Sequence, residues 1–288
     1  MIKDYCLRGT AKDGNVRFFI ASTKELVEKA RIQHDLSTLA TAALGRTLTA
    51  TVMMGLNLKG TDTITLTFKG NGVLGNVVAK SNNEGEVKGY VDNPDANLPL
   101  KTNGKIDVSS GIGFGTLFVT KDMGLKNPYV GTIPIVSGEI GEDITEYYYS
   151  SEQTLSAVGL GVLIDVDYSV KSAGGFILQL LPDADKNIGI ELDNKVQELP
   201  PLSSYLIDNS PEDLLQYFFE KDFNLLEKKE LQFDCQCSKD NFKKALITLG
   251  KEELEVLAKD EEVEVVCQFC NKKYIFTSEE LVELAKVI

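Results

Sequence analysis

Between residues 5 and 23 apolar side chains gather in two short runs on either side of Asp13 and Gly14, the pattern of two strands joined by a tight turn. A helix is predicted over 24–31. Over 36–57 the periodicity is helical, and Ala40, Ala42, Ala43, Gly45 and Ala50 place small side chains where a helix can lie close against a sheet. From 63 to 90 the runs ITLTFK, VVAK and VKGYV alternate apolar with polar, broken by Gly70, Gly72, Gly75 and by Asn82 with Asn83, which predicts an antiparallel meander. A further strand pair is expected at 115–120 and 130–136, then a helix from about Asp143 and a strand at 174–181. Together these predict an α+β domain over 1–181, with an antiparallel sheet and buried helices.

Beyond Pro182 the texture changes. Pro200 and Pro201 interrupt the chain, and Ser210, Pro211, Glu212 and Asp213 supply an N-cap, a first-turn proline and two first-turn acids for a helix. That helix carries LLQYFF. Leu214, Leu215, Tyr217, Phe218 and Phe219 wrap more than one face, so they must be covered, either by the protein's own core or by a partner. A helical linker is expected over 182–231 and a third region over 232–288.

The chain has 288 residues, 43% of them apolar, enough for one or two sizeable cores. Lys and Arg number 30 against 43 Asp and Glu, and a net charge of -13 repels phosphate backbones and anionic lipid, so neither nucleic acid nor membrane is an expected partner. The first 20 residues lack the apolar core of a secretory signal. The longest uncharged helix-like run, TLTATVMMGLNL at 47–58, falls far short of the ~20 apolar residues that span a bilayer. A cytoplasmic location is expected.

In that reducing compartment the five cysteines are read as thiols, and four of them fall into two close pairs, CQC and CQFC, separated by 29 residues. Paired spacing lets each short turn offer two sulfurs to one ion, and four soft ligands at tetrahedral corners suit zinc. Cys235, Cys237, Cys267 and Cys270 are the expected ligands of one zinc per reduced chain. The flanks agree: VEVV enters the second pair, KKYIF leaves it, and Thr277 with Glu280 forms a capping box for a last helix. Gly250 splits the intervening segment into two short helices. A region of this size has few large side chains, whereas a structural zinc site contributes about 10 to 16 kcal/mol of apparent free energy near neutral pH. A disulfide across one intervening residue closes a strained ring, and strained disulfides are labile, which points beyond a purely structural role.

Other motifs lead nowhere. GNGVLG, with Gly70, Gly72 and Gly75, has dinucleotide-binding spacing, but strand-like NVVAK follows where a helix should begin, so a hairpin turn is expected and no nucleotide. No Walker pattern is present. The single histidine, His34, sits between two predicted helices in a turn or cap role, and Cys6 lies in the apolar pattern of the first strand as a small core residue.

On DCQCS at 234–238 and VCQFCNKKYIF at 266–276, with ALITLGKEELE between them, the chain resembles the heat shock protein 33 family of redox-regulated holdase chaperones. FVTKDMGLKNPYVG at 118–131 and SGEIGEDITEYYYSSEQTLSAVGLGV at 137–162 extend the resemblance over essentially the whole length. It implies an ATP-independent chaperone and no enzyme: inactive while reduced and zinc-bound, active once oxidised. It also implies disulfides between Cys235 and Cys237 and between Cys267 and Cys270, zinc release, an unfolded linker, a homodimer in the oxidised state and unfolding client proteins as partners. Because CxxC closes with less strain than CxC, the Cys267 and Cys270 pair is expected to oxidise first. Two rival readings stand beside it, a thiol-disulfide oxidoreductase using Cys267 and Cys270 and a zinc-ribbon adaptor.

Overall fold

The computed structural model describes residues 3–287, which divide into two compact units, one running through Phe233 and the other beginning at Asp234.

The first unit opens with a hairpin of β1 (Tyr5–Ala11) and β2 (Val16–Ser22). Its turn carries Lys12, Asp13 and Gly14 at positive φ, a conformation that Asp tolerates and Gly favours. Helix α1 (Lys24–His34) follows, then α2 (Thr38–Gly55). Helix α2 is buried nearly all round because it lies between two sheets, so its sequence has no polar stripe. Its buried hydroxyls are satisfied within the helix: Thr47, Thr49 and Thr51 donate to the carbonyls of Ala43, Gly45 and Thr47. The small residues do what their spacing predicts. A Cβ at Gly45 would stand 2.7 Å from Cγ1 of Val27, so only glycine lets α1 approach there.

The meander is β3 (Thr63–Gly70), β4 (Asn76–Asn82) and β5 (Glu86–Val91). After α3 (Val108–Ile112), β6 (Gly115–Asp122) and β7 (Tyr129–Pro134) extend that sheet beyond β3. The GNGVLG segment is the β3–β4 connection, as expected. A Cβ at Gly70 would collide with the Ile112 carbonyl at 1.9 Å, so the glycines serve a close approach to α3. Helix α4 (Gly141–Glu152) begins two residues before Asp143. The Asp143 carboxylate accepts the backbone N–H groups of Val136, Ser137, Gly138 and Ile140, which ties the loop before the helix to its first turn.

Two strands complete the picture, β8 (Ser156–Ile164) and β9 (Val170–Leu180). The first of these is absent from the sequence prediction, its alternation being blurred by Gly159 and Gly161. With it the antiparallel strands sort into two sheets rather than one. Helices α5 (Lys186–Glu198), α6 (Leu202–Tyr205) and α7 (Pro211–Phe219) lead to strand β10 (Phe223–Glu230) and the two-residue β11 (Gln232–Phe233). The five-stranded sheet runs β10-β1-β2-β9-β8 and the six-stranded sheet β11-β5-β4-β3-β6-β7, with β11 parallel to β5.

Residues 182–231 therefore lie within the first unit and carry a strand besides the expected helices. Ser210 caps α7 in a capping box with Asp213, and Pro211 opens the helix. Its apolar face is covered by the protein's own core: Leu214, Leu215, Phe218 and Phe219 pack with Leu7, Phe18, Ile20 and Phe176. Ring centroids stand 5.0 Å apart for Phe176 and Phe218 and 5.6 Å apart for Phe18 and Phe219. Strand β10 is held differently. Most of its side chains are exposed, and it joins the sheet through its pairing with β1 and surface ion pairs such as Arg8 with Glu227 and Lys3 with Glu230.

Candidate metal centre

The second unit contains α8 (Lys239–Ile247), α9 (Lys251–Leu257), β12 (Glu262–Val266), β13 (Lys273–Thr277) and α10 (Ser278–Ala285). The two strands form an antiparallel hairpin, and CQFC occupies its turn. That turn is shaped by the backbone. Cys267 N–H donates to Lys272 O, the N–H groups of Cys270 and Asn271 both donate to Cys267 O, and Asn271 takes the positive φ that closes the knuckle. CQC lies just before α8, whose N-terminus is capped by Ser238 accepting from Asn241 N–H. Thr277 and Glu280 form the expected capping box at α10.

These two turns bring all four predicted sulfurs together, each within 4.8 Å of the others. Cys235 Sγ stands 3.8 Å from Cys267 Sγ, and Cys237 Sγ stands 3.3 Å from Cys270 Sγ. Four bonds of about 2.3 Å to a tetrahedral ion would set sulfurs about 3.8 Å apart, so this donor set has the size and chemistry to hold a metal such as zinc. None of the four is in a disulfide. Cys267 and Cys270 are buried and Cys235 and Cys237 half-buried, so the CxC side is the more open.

The electrostatics of the site are uneven. Burial pushes the Cys270 thiol up, only partly offset by a backbone hydrogen bond from Lys272. Burial also disfavours the Cys237 thiolate, but hydrogen bonds from Tyr274 and the neighbouring thiols outweigh it and bring this thiol below its ordinary value. Tyr274, which the sequence reading did not single out, is the residue it missed. Its signal was present in KKYIF, where alternation on β13 turns positions 274 and 276 inward. Beneath the cysteines the unit buries little: Leu246, Leu254, Tyr274, Phe276, Leu281 and Ala285, with the Phe242 ring 5.0 Å from that of Tyr274.

The fold recurs in known proteins. A family model described as Hsp33 protein matches residues 4–277. The chain belongs to the Hsp33 family. The 33 kDa chaperonin of Clostridioides difficile is 46% identical, with 99% of each chain covered, and that of Acetivibrio thermocellus is 46% identical over 100% of this chain and 98% of its own. The crystal structure of the 33 kDa chaperonin from Thermotoga maritima, a heat shock protein 33 homologue, superposes with a TM-score of 0.94 at 41% identity, covering 99% of both chains. Membership places this chain in a family of chaperones, with the four cysteines as its cluster suited to a metal.

The remaining candidates in this Hsp33 chain take ordinary structural places. Cys6 is fully buried in β1, where burial pushes its thiol up to about 12 and its S–H points to Leu7 O at 3.5 Å. His34 ends α1 with its ring edge-on to Phe233, centroids 6.3 Å apart. Among the described residues no helix is long and apolar enough to cross a membrane.

Proposed function

We propose that this chain is an ATP-independent holdase chaperone, restrained by its cysteine centre while reduced and switched on by oxidation. The observation that carries this reading is the convergence of four sulfurs, from segments 29 residues apart, in a unit with few large buried side chains. Bound zinc would supply a fourfold crosslink between the CxC segment and the hairpin knuckle. A peroxide or hypochlorite takes two electrons from each thiolate pair, joining Cys267 to Cys270 and Cys235 to Cys237. With the sulfurs paired the four-thiolate site no longer exists, and the unit loses its main support.

Only Asp234 separates the cysteines from β11, which is two residues long, and β10 before it is held by backbone pairing and exposed ion pairs. These are weak anchors. Unfolding of 182–231 then uncovers Leu214, Leu215, Phe218 and Phe219 together with Phe18 and Phe176, on which they rest. That surface would hold unfolding client proteins, and two chains exposing it would pair as a homodimer. The cytoplasm suits such a switch, since its reducing poise keeps the thiols unpaired.

An oxidoreductase built on Cys267 and Cys270 is disfavoured, because CQFC lies in a hairpin turn followed by β13 rather than at the start of a helix. A nucleic-acid adaptor is disfavoured by the 8 lysines against 12 acids over residues 231–288. The test is light scattering of a heat-aggregating client, without ATP, with full-length protein that is zinc-loaded and reduced or pre-oxidised with peroxide. Suppression by the oxidised form alone is expected. Equal suppression by both forms, or none by either, refutes the switch. Mass spectrometry of trapped peptides dominated by a Cys235 to Cys267 disulfide refutes the pairing.

A further inference from the structure

Tyr274 projects from β13 toward the cysteines, and its hydroxyl reaches two atoms of one residue. It donates to the Cys237 carbonyl oxygen at 2.8 Å and lies 3.2 Å from Cys237 Sγ. The ring that carries it is buried and fixed, packed against Phe242 of α8, with the Lys272 ammonium 5.3 Å from its centroid. The hydroxyl is therefore held at the sulfur by the packing of two elements.

Donor chemistry decides what the contact does. A sulfur that ligates a metal is a thiolate and has no proton to give, so in the metal-bound state the only donor available to this contact is the phenol. A charged acceptor draws a hydrogen bond more strongly than a neutral carbonyl, and the two acceptors lie close enough to share one O–H. We propose that Tyr274 is a positioning residue of the metal centre, its O–H donating to the Cys237 sulfur so that this sulfur is held as a ligand and shielded from oxidants.

This rests on the metal-bound reading given above. Partners in the shell around a metal's ligands orient them and tune their electron density. The same hydrogen bond engages a sulfur lone pair. When a thiolate attacks a peroxide, that lone pair forms the S–O bond as the O–O bond breaks and hydroxide leaves, giving a sulfenic acid. A donor on the sulfur opposes this step. Cys237 lies on the more open side of the cluster, so without the phenol it would be readily attacked. The contact thereby gives a physical reason for the CQFC pair to oxidise first, beyond the strain of a CxC ring.

The experiment compares full-length wild type with Tyr274→Phe, which keeps the ring and removes only the hydroxyl, and with Phe242→Leu, which loosens the packing and keeps the hydroxyl. Each is loaded with zinc and, separately, with cobalt. Tyr274→Phe is expected to lose about tenfold in zinc affinity against a chromogenic chelator. Its thiolate-to-cobalt charge-transfer band should move to lower energy, as a sulfur relieved of a donor gives up electrons more easily, and peroxide should modify Cys237 sooner relative to Cys267 and Cys270. Phe242→Leu, which keeps the hydroxyl but loosens its support, should move the band in the same direction by clearly less. An unchanged affinity and band in Tyr274→Phe overturns the proposal, and so does an equal band shift in Phe242→Leu, which would assign the effect to packing. Wild-type protein that takes up neither zinc nor cobalt would instead overturn the metal reading itself, before any variant is compared.

Discussion

The two units solve the same problem by different means. In the first, Phe18, Phe176, Phe218 and Phe219 pack with leucines from both strands and helices, and α2 is enclosed by two sheets. Burial of that kind stabilises by roughly 25 cal/mol for each Å² of apolar surface removed from water, and it does not respond to oxidants. In the second, a handful of apolar side chains lie beneath two cysteine turns. A unit this small gains little from its core, so on the proposed reading a crosslink at the sulfurs would decide whether it folds. Stability that rests on sulfur chemistry can be withdrawn by sulfur chemistry. On the proposed function, this contrast puts the switch in the smaller unit and the apolar surface it hides in the larger.

The sharpest way to break this comparison is to remove the crosslink alone. Cys267→Ser together with Cys270→Ser, or chelation of the reduced protein, should abolish zinc retention and unfold residues 234–288, a loss on the order of the 10 to 16 kcal/mol attributed to such sites. Hydrogen exchange should rise throughout α8, α9, β12, β13 and α10 while α2 stays protected. A second unit that keeps its slow exchange after the double substitution would mean that its apolar residues suffice.

The converse substitution acts on the first unit. Phe218→Ala leaves a cavity against Phe176 and should cost about 3 to 5 kcal/mol in urea denaturation, with zinc retention unchanged. If zinc were lost in step with the cavity, the units would not be energetically separate.

A smaller effect distinguishes them by pH. Asp4 is buried, and its carboxylate accepts Leu26 N–H at 2.7 Å. Burial raises its pKa from 3.8 to about 6, against backbone hydrogen bonds from Leu26, Glu25 and Lys24, with the Glu25 carboxylate adding to the rise. A folded-state value above the unfolded one means that the folded protein binds more protons between about pH 4 and 6. Stability from this group is therefore present below that window and lost as pH rises through it, by up to about 3 kcal/mol. Asp4→Asn, which can still accept from Leu26, should flatten that part of the first unit's stability profile. Parallel profiles for wild type and variant would refute the assignment.

How much of this was legible beforehand differs along the chain. Helix ends were readable wherever a local signal sets them: Ser210 with Asp213 and Thr277 with Glu280 cap the helices that their spacing predicts. Strand β8 was not, since Gly159 and Gly161 interrupt its alternation. Its place is decided by pairing with β9 and by close approaches such as that of Ser203 N, 2.6 Å from where a Cβ at Gly161 would stand. Strand β10 was missed for another reason. Its residues fall in the span expected as a helical linker, and only the open edge of β1 makes them a strand.

The sequence by itself determined which four cysteines meet at one centre suited to a metal, because CxC and CxxC are local patterns whose turn geometry needs only a few residues on either side. It also determined that Leu214, Leu215, Phe218 and Phe219 require cover, since apolar residues on several faces of one helix cannot all remain in water. Only the tertiary structure decided what provides that cover, for a core contact such as that of Phe218 with Phe176 joins residues far apart in the chain and leaves no periodicity in either segment. Which atoms the Tyr274 hydroxyl meets was decided in the same way. An inward position on a strand can be read from alternation, but the atom a side chain meets there depends on how the hairpin and the CxC turn fold onto each other.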